Sequence, residues 1–295
     1  MDNLTHTLVG AALAESGLKR RTALGAVTLM IGANFPDIDV VAVFFPNSVF
    51  HRRGATHGFL ALVILPFVLA GIMWAWDEYV RRRRRPHAAP ADFQQLAILS
   101  GIAMITHPTL DFMNTYGMRW LMPFVDRWFY ADGLFIIDLW ILIALGLGVF
   151  WARRARTTRP ARVAIAFLAT YTVAMLALTG IGRAAVEQLN PGRRFMVAPI
   201  PLVPWQRHVL LDEGDSYREG SWSPFGGITL GPKFTKGEDD PAVALAKQDP
   251  TARRFLRWAR FPYYQVIREG SSTVVAISDA RYGGAEWASL EVRLP

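Results

Sequence analysis

The sequence predicts a mainly α protein, a polytopic membrane helical bundle over residues 1–185 followed by a small soluble α+β domain over residues 186–295. Two observations support this fold class. The chain has 295 residues and is 52% hydrophobic, with a positive mean hydropathy, which is too apolar for an ordinary soluble protein. Long apolar runs lie in the N-terminal part, whereas the C-terminal part alternates apolar and polar residues over short runs punctuated by Gly and Pro.

Four apolar segments are long enough to be predicted as membrane spans. The clearest, from Phe59 to Trp76, has no charged residue and runs directly towards an arginine run. The other three cover residues 93–114, 134–151 and 163–181. Two shorter helices rich in small residues, over 5–18 and 22–33, precede them and either span the membrane or re-enter it.

Basic clusters predict how these helices cross the membrane. Lys19–Arg21, Arg81–Arg85 and the arginines of 153–162 belong on the cytoplasmic side of the membrane by the positive-inside rule. Nucleic-acid binding is not expected, because no basic module with interleaved aromatic residues is present. The C-terminal domain and a set of His and Asp residues then fall on the extracytoplasmic side, namely His6, Asp37, Asp39, His51, His57, His107, Asp111, Asp132 and Asp138.

These side chains are suited to binding a metal ion. The chain has no cysteine, so the ligands must be His, carboxylate or water. His107 and Asp111 are four residues apart on one predicted helix and therefore share a face. Asp37 and Asp39 follow a proline in a turn. Each motif alone is more often a helix cap or a solvated turn, so it is their convergence on one side that favours a shared site.

Two further features are each open to two interpretations. His51 and His57 flank Arg52 and Arg53 on one loop, and the arginines offer forked donors for a phosphate. The alternative is a basic loop that touches lipid headgroups. Asp138 lies inside an apolar segment, where it is either a metal ligand or a partner that orients a ligand histidine.

A set of short motifs resembles a known family. Thr-His near the N-terminus, Pro-Asp-Ile-Asp, Arg-Gly-Ala-Thr-His and His-Pro-Thr-Leu-Asp occur in the order found in the YdjM-like family of inner-membrane proteins. That family is regarded as metal-dependent hydrolases, and it is similar to the all-α zinc-dependent phospholipase C and P1 nuclease fold. The resemblance covers roughly residues 1–185.

The resemblance implies zinc, with two or three ions, and phosphoester hydrolysis. Its motifs make the following residues the metal ligands: His6, Asp37, Asp39, His57, His107 and Asp111. One departure concerns the first histidine of the loop motif, because Arg52 stands in its usual place and His51 lies one position farther away. His51 and Asp138 complete the predicted ligand set, His51 through a longer loop.

We therefore predict a membrane-bound hydrolase that acts on a phospholipid or lipid-linked phosphate at the extracytoplasmic surface. Arg52 and Arg53 would hold the phosphate, and Asp39 or Asp111 would act as general base. The expected partners are membrane lipids and this substrate, and the oligomeric state stays open. The alternative is a non-catalytic membrane protein with a structural metal site and a partner-binding C-terminal domain. A small transporter is disfavoured, because the ionisable groups lie at predicted helix ends.

Overall fold

The computed structural model describes residues 1–44, 53–270 and 272–294. The described residues form two compact units. The helical unit comprises residues 1–44 and 53–177, and the sheet unit comprises residues 178–294. The division falls inside the last long helix, whereas the sequence predicts a domain boundary at residue 185.

The helices of the first unit begin at side-chain caps that the sequence provides. The carboxylates of Asp2, Asp92 and Asp138 each accept a hydrogen bond from a backbone N–H of the first turn. The helices are α1 (Asn3–Glu15), α2 (Gly25–Gly32), α3 (Phe59–Trp76), α4 (Arg82–Arg84), α5 (Phe93–Phe112), α6 (Leu139–Arg154) and α7 (Arg159–Leu189). A π-helical turn, Asp77–Arg81, joins α3 to α4, and a 3-10 segment, Phe35–Phe44, follows α2.

Close packing among α1, α2 and α5 forms the centre of the helical unit. Ala14 of α1, Leu29 of α2 and Leu99 of α5 are buried together in one apolar cluster. At Gly10 the two backbones come so close that a Cβ there would lie 2.6 Å from the carbonyl oxygen of Leu29. A glycine is therefore needed where α1 crosses α2.

The prediction of a mainly α, polytopic bundle is wrong. About 51% of the chain is helix and 20% is strand. Within the described ranges, only the helices over Phe59–Arg84 and Arg159–Leu189 are long and apolar enough to cross a membrane. A helical part followed by a smaller part with β-sheets does match the sequence prediction.

The other described helices, including α1, which the sequence left open as a span or a re-entrant helix, fall short of a membrane span for identifiable reasons. α1 has 13 residues and α6 has 16, giving about 20 and 24 Å, against a hydrocarbon core of about 30 Å. α6 is shorter than predicted because Asp138 caps it, so residues 134–138 are not helical. α5 is long enough, but it carries His107 and Asp111 and buries part of its apolar surface against α3.

The sheet unit contains two antiparallel sheets. The first has the order β1 (Phe195–Ile200), β2 (Val203–Asp212), β3 (Ser216–Ser223) and β4 (Gly227–Thr235). The second consists of β5 (Pro262–Glu269), β6 (Ser272–Asp279) and β7 (Ser289–Leu294), and α8 (Pro241–Ala246) and α9 (Pro250–Trp258) precede it. Met196, Leu210, Tyr217 and Phe261 share one buried cluster, so the two sheets have a common core.

Candidate metal centre

Five buried side chains from four segments of the helical unit meet in one place. His6 comes from α1, Asp37 from the 3-10 segment, His57 from the turn before α3, and His107 and Asp111 from successive turns of α5. The three histidines are 0% exposed, Asp111 is 1% exposed and Asp37 is 7% exposed. Buried ionisable groups are costly unless partners compensate them, so their concentration here indicates a binding site.

Two imidazole nitrogens face each other at the centre of this group. The Nε2 atoms of His57 and His107 are 3.2 Å apart. The Oδ1 atom of Asp37 lies 3.4 and 3.6 Å from them, and the Oδ2 atom of Asp111 lies 3.8 and 3.6 Å from them. Two nitrogens and two carboxylate oxygens thus surround one point.

The opposite sides of the two rings define which nitrogen carries the proton. His107 Nδ1 is 2.7 Å from the carbonyl oxygen of Ala33, which only accepts, so this nitrogen donates. His57 Nδ1 faces the Oδ2 atom of Asp39 at 3.4 Å and the hydroxyl of Thr56 at 3.0 Å. His107 therefore directs the lone pair of its Nε2 towards His57, and when Asp39 accepts the Nδ1–H of His57 both Nε2 lone pairs face one point, an arrangement that a cation between them stabilises.

The electrostatic environment keeps these groups in the protonation states that a metal requires. Burial lowers the pKa of His107 to about 4 and holds the pKa of His6 well below its usual value. Burial raises the pKa of Asp37, but the rings of His107 and His57, whose Nε2 atoms lie 3.6 and 3.4 Å from its Oδ1 atom, lower it more, so it lies below its usual range. Neutral imidazoles and ionised carboxylates are the metal-binding forms.

His6 provides a second indication that a ligand binds at this cluster. Its ring stacks on His107 with centroids 3.8 Å apart, and its Nε2 lies 3.4 Å from the Oδ1 atom of Asp111. Both ring nitrogens are buried without a hydrogen bond to any described residue. Leaving a buried polar group unpaired costs about 1–3 kcal/mol, so a ligand in this position would remove a real penalty.

Two overlapping groups of side chains can therefore hold a metal ion. One consists of Asp37, His57 and His107, and the other of His6, His107 and Asp111. His107 has one nitrogen available, because Ala33 occupies the other, so it can serve one ion at a time. Asp111 directs Oδ2 towards His57 and His107 and Oδ1 towards His6, which suits a bridging carboxylate if two ions bind.

Asp111 is held in place by Arg53. The Nε and Nη2 atoms of Arg53 donate to the two carboxylate oxygens at 2.8 and 2.9 Å, and the amino group of Met1 also contacts Asp111. Arg53 further donates to Asn114 and to the carbonyl of Gly117. The buried guanidinium is thus a positioning group for Asp111, and its predicted contact with a phosphate stays a prediction.

Other predicted residues lie around the centre or outside it. Asp39 orients His57 and accepts from the backbone N–H of Arg53 at 2.8 Å. Asp138 belongs to neither metal-binding group: it caps α6 and accepts from the hydroxyl of Tyr171 at 3.1 Å. His51 and Arg52 lie outside the described residues, so their predicted roles stay predictions.

Sequence reasoning missed two supporting contacts. Asn114, two residues beyond the end of α5, accepts from Arg53 at 3.2 Å, and its position after the helix gives no periodic signal in the sequence. The carbonyl of Ala33, which sets the tautomer of His107, has no sequence signal because every residue carries such a group.

Comparison with known proteins identifies the family. The profile of the YdjM inner membrane protein family matches residues 1–183, more than half of the chain. The chain belongs to the YdjM family. The sequence-based resemblance to YdjM proteins is therefore confirmed, whereas the further similarity to phospholipase C and P1 nuclease is not shown.

One curated protein is also similar to this chain. The chain is similar to a Bacillus subtilis (strain 168) protein described as "Uncharacterized protein YfhP", with 25% identity over 154 residues. The match covers 49% of this chain and 44% of that relative, so the chain spans less than half of its length. No solved structure matches the chain.

Replacing Asp39 by Asn tests how the centre is supported. The amide keeps the acceptor for Arg53 but removes the charge that orients His57, so we expect metal affinity, measured with zinc as the probe ion, to fall about 10–100-fold. Affinity is measured by competition with a chromophoric chelator in detergent.

Asp138→Ala is the matched carboxylate control. Removal of the cap should lower stability by about 0.5–2 kcal/mol and leave zinc affinity unchanged. Loss of zinc from Asp138→Ala, with normal zinc binding by Asp39→Asn, would show that Asp138 supports the metal centre and that Asp39 does not.

Proposed function

We propose that this inner-membrane protein is a metal-dependent hydrolase that uses zinc and acts on a phosphoester. The supporting observation is the pair of Nε2 atoms of His57 and His107 at 3.2 Å, flanked by Asp37 and Asp111. Imidazole and carboxylate ligands without thiolates suit zinc and favour it over calcium or magnesium, which prefer oxygen ligands.

The chemistry of the proposal divides between the ion and the chain. A zinc ion, when bound, supplies Lewis acidity to a phosphoryl oxygen and favours ionisation of water near neutral pH. Asp37, His57 and His107 would hold it, with Asp111 completing the set or joining it to a second ion at His6.

Asp39 is the favoured proton acceptor in this proposal. Its Oδ2 atom accepts from Arg53 N and lies near Thr56 and His57, whereas its buried Oδ1 atom has no hydrogen-bond partner among the described residues. That oxygen can accept a proton from an attacking water. Asp111 is less suited to the role, because Arg53 engages both of its oxygens.

A groove next to the centre supports an amphiphilic substrate. It has a volume of about 530 Å³, and among the described residues that line it Asp37 alone is charged. Val27, Ile31 and Ile38 line it and are 41%, 40% and 48% exposed. A phospholipid or lipid-linked phosphate could place its apolar part on these side chains and its phosphate near Asp37.

The second candidate is a structural metal site in a non-catalytic protein. It is favoured by the burial of His57, His107, Asp37 and Asp111, because four protein ligands would close a tetrahedral zinc site. A catalytic site keeps one position open for water or substrate, so bound metal without turnover would favour this candidate.

Metal content and hydrolysis test both candidates. The detergent-purified chain should hold at least one zinc per molecule by elemental analysis and should hydrolyse a p-nitrophenyl phosphodiester or a phospholipid. His107→Ala should lose the metal and reduce turnover by a factor of about 100 or more.

His87→Ala is the control, because this exposed histidine lies in the linker after α4. This variant should leave the zinc content and the rate of hydrolysis unchanged. A chain without bound metal would contradict both candidates, whereas stoichiometric zinc without hydrolysis would contradict the enzyme.

We also propose a multi-pass topology with the metal centre and the sheet unit on the extracytoplasmic side. Membership of the YdjM inner membrane family and the two helices over Phe59–Arg84 and Arg159–Leu189 support insertion. The basic runs Lys19–Arg21, Arg81–Arg85 and 153–162 support cytoplasmic placement of the helix ends that carry them.

Single cysteines test this topology, because the natural chain has none. In intact spheroplasts, a membrane-impermeant maleimide should label Gln248→Cys, in the sheet unit, but label Arg85→Cys only after lysis. The unmodified chain is the background control. Labelling of Arg85→Cys in intact cells, or protection of Gln248→Cys, would overturn the topology.

A further inference from the structure

A basic pocket lies in the helical unit where α1 and α6 end. Its volume is about 230 Å³, below the roughly 300–1,000 Å³ of sites for drug-sized ligands. It is lined by Glu15, Gly17, Lys19, Arg20, Ala152, Arg153, Arg156, Thr157 and Thr158. This lining shares no residue with either metal-binding group.

The lining carries an excess of positive charge. Four cations and one carboxylate give a formal charge of 4 − 1 = +3. The two oxygens of Glu15 are both used, one by Lys19 and the other by the Nε atom of Arg153 at 3.0 Å. Among the described residues, Arg20 and Arg156 have no ion pair or side-chain hydrogen bond.

Helix ends do not account for this excess. α1 and α6 end here, and each C-terminus carries roughly −0.5 of an elementary charge, so together they contribute about −1. Adding this to the formal charge still leaves about +2. The remaining charge, next to the hydroxyls of Thr157 and Thr158, calls for an anion with oxygen acceptors.

We infer that this pocket binds a phosphate group, with Arg20 and Arg156 as its principal donors. The phosphate belongs either to an anionic phospholipid or to a free phosphate ion, since both present the same oxygens to the guanidinium groups. In the proposed topology these residues lie on the cytoplasmic side. The inference rests on the pocket alone and does not depend on hydrolase activity.

Binding is measured on the full chain in a non-ionic detergent. The midpoint of thermal unfolding is followed against dioctanoyl phosphatidylglycerol, dioctanoyl phosphatidylcholine and inorganic phosphate at constant ionic strength. We expect a saturable rise with phosphatidylglycerol or inorganic phosphate and none with the zwitterionic lipid. A rise with the lipid alone assigns the phosphate to a headgroup, whereas an equal rise with inorganic phosphate assigns it to the free ion.

Two double variants with the same loss of charge make the test specific. Arg20→Gln with Arg156→Gln should weaken the apparent affinity about tenfold for each arginine removed. Arg253→Gln with Arg254→Gln, in α9 of the sheet unit, should leave it unchanged. His107→Ala should also retain the response, which separates this pocket from phosphate bound at the metal centre.

Three results would overturn the inference. The first is the absence of a saturable shift in the natural chain with either anion. The second is full retention of affinity in the Arg20 and Arg156 double variant. The third is an equal loss in both double variants, which would reflect net charge rather than a site.

Discussion

The short distance between the Nε2 atoms of His57 and His107, inside one buried group of His and Asp residues, is the constraint on which the metal centre depends. His57 and His107 place Nε2 atoms 3.2 Å apart, and their other nitrogens are directed outward by Asp39 and by the carbonyl of Ala33. Two lone pairs at this distance, next to two carboxylates, repel each other unless a cation lies between them. The geometry is favourable once a metal shares the four groups.

The surrounding fold holds each of these groups in position. Gly10 allows α1 to cross α2 at backbone contact, which places His6 beside His107. The Nε and Nη2 atoms of Arg53 donate to the two carboxylate oxygens of Asp111, which fixes the orientation of this carboxylate. A metal would therefore find its ligands preorganised, and the cost of burying so many ionisable groups is spread over several supporting contacts.

Local spacing made part of the centre predictable from sequence. His107 and Asp111 share a face because they are four residues apart on α5, and the segment containing Asp37 and Asp39 lies next to them as the motif order suggested. The role of Arg53 was not predictable in the same way. A sequence shows that a guanidinium stands near the loop, but the choice between a phosphate and Asp111 depends on tertiary distance.

The membrane part was overpredicted because hydropathy cannot tell which apolar residues face other helices. α6 is apolar, yet Asp138 shortens it to 16 residues by capping it, and α1 packs its small residues inside the unit. The same cap accounts for an ionisable residue in this apolar run. Asp138 accepts from the first backbone N–H groups of α6, a role that the sequence does not distinguish from metal binding. By contrast, alternation and frequent Gly and Pro correctly indicated a β-containing C-terminal part, since those signals are local.

X-ray absorption at the metal edge of the purified, zinc-loaded chain tests the central claim most directly. We expect a first shell of nitrogen and oxygen near 2.0–2.2 Å, with outer-shell scattering from at least two imidazoles that is lost in the His57→Ala, His107→Ala double variant. A shell of oxygen alone, or a spectrum unchanged in that double variant, would contradict it.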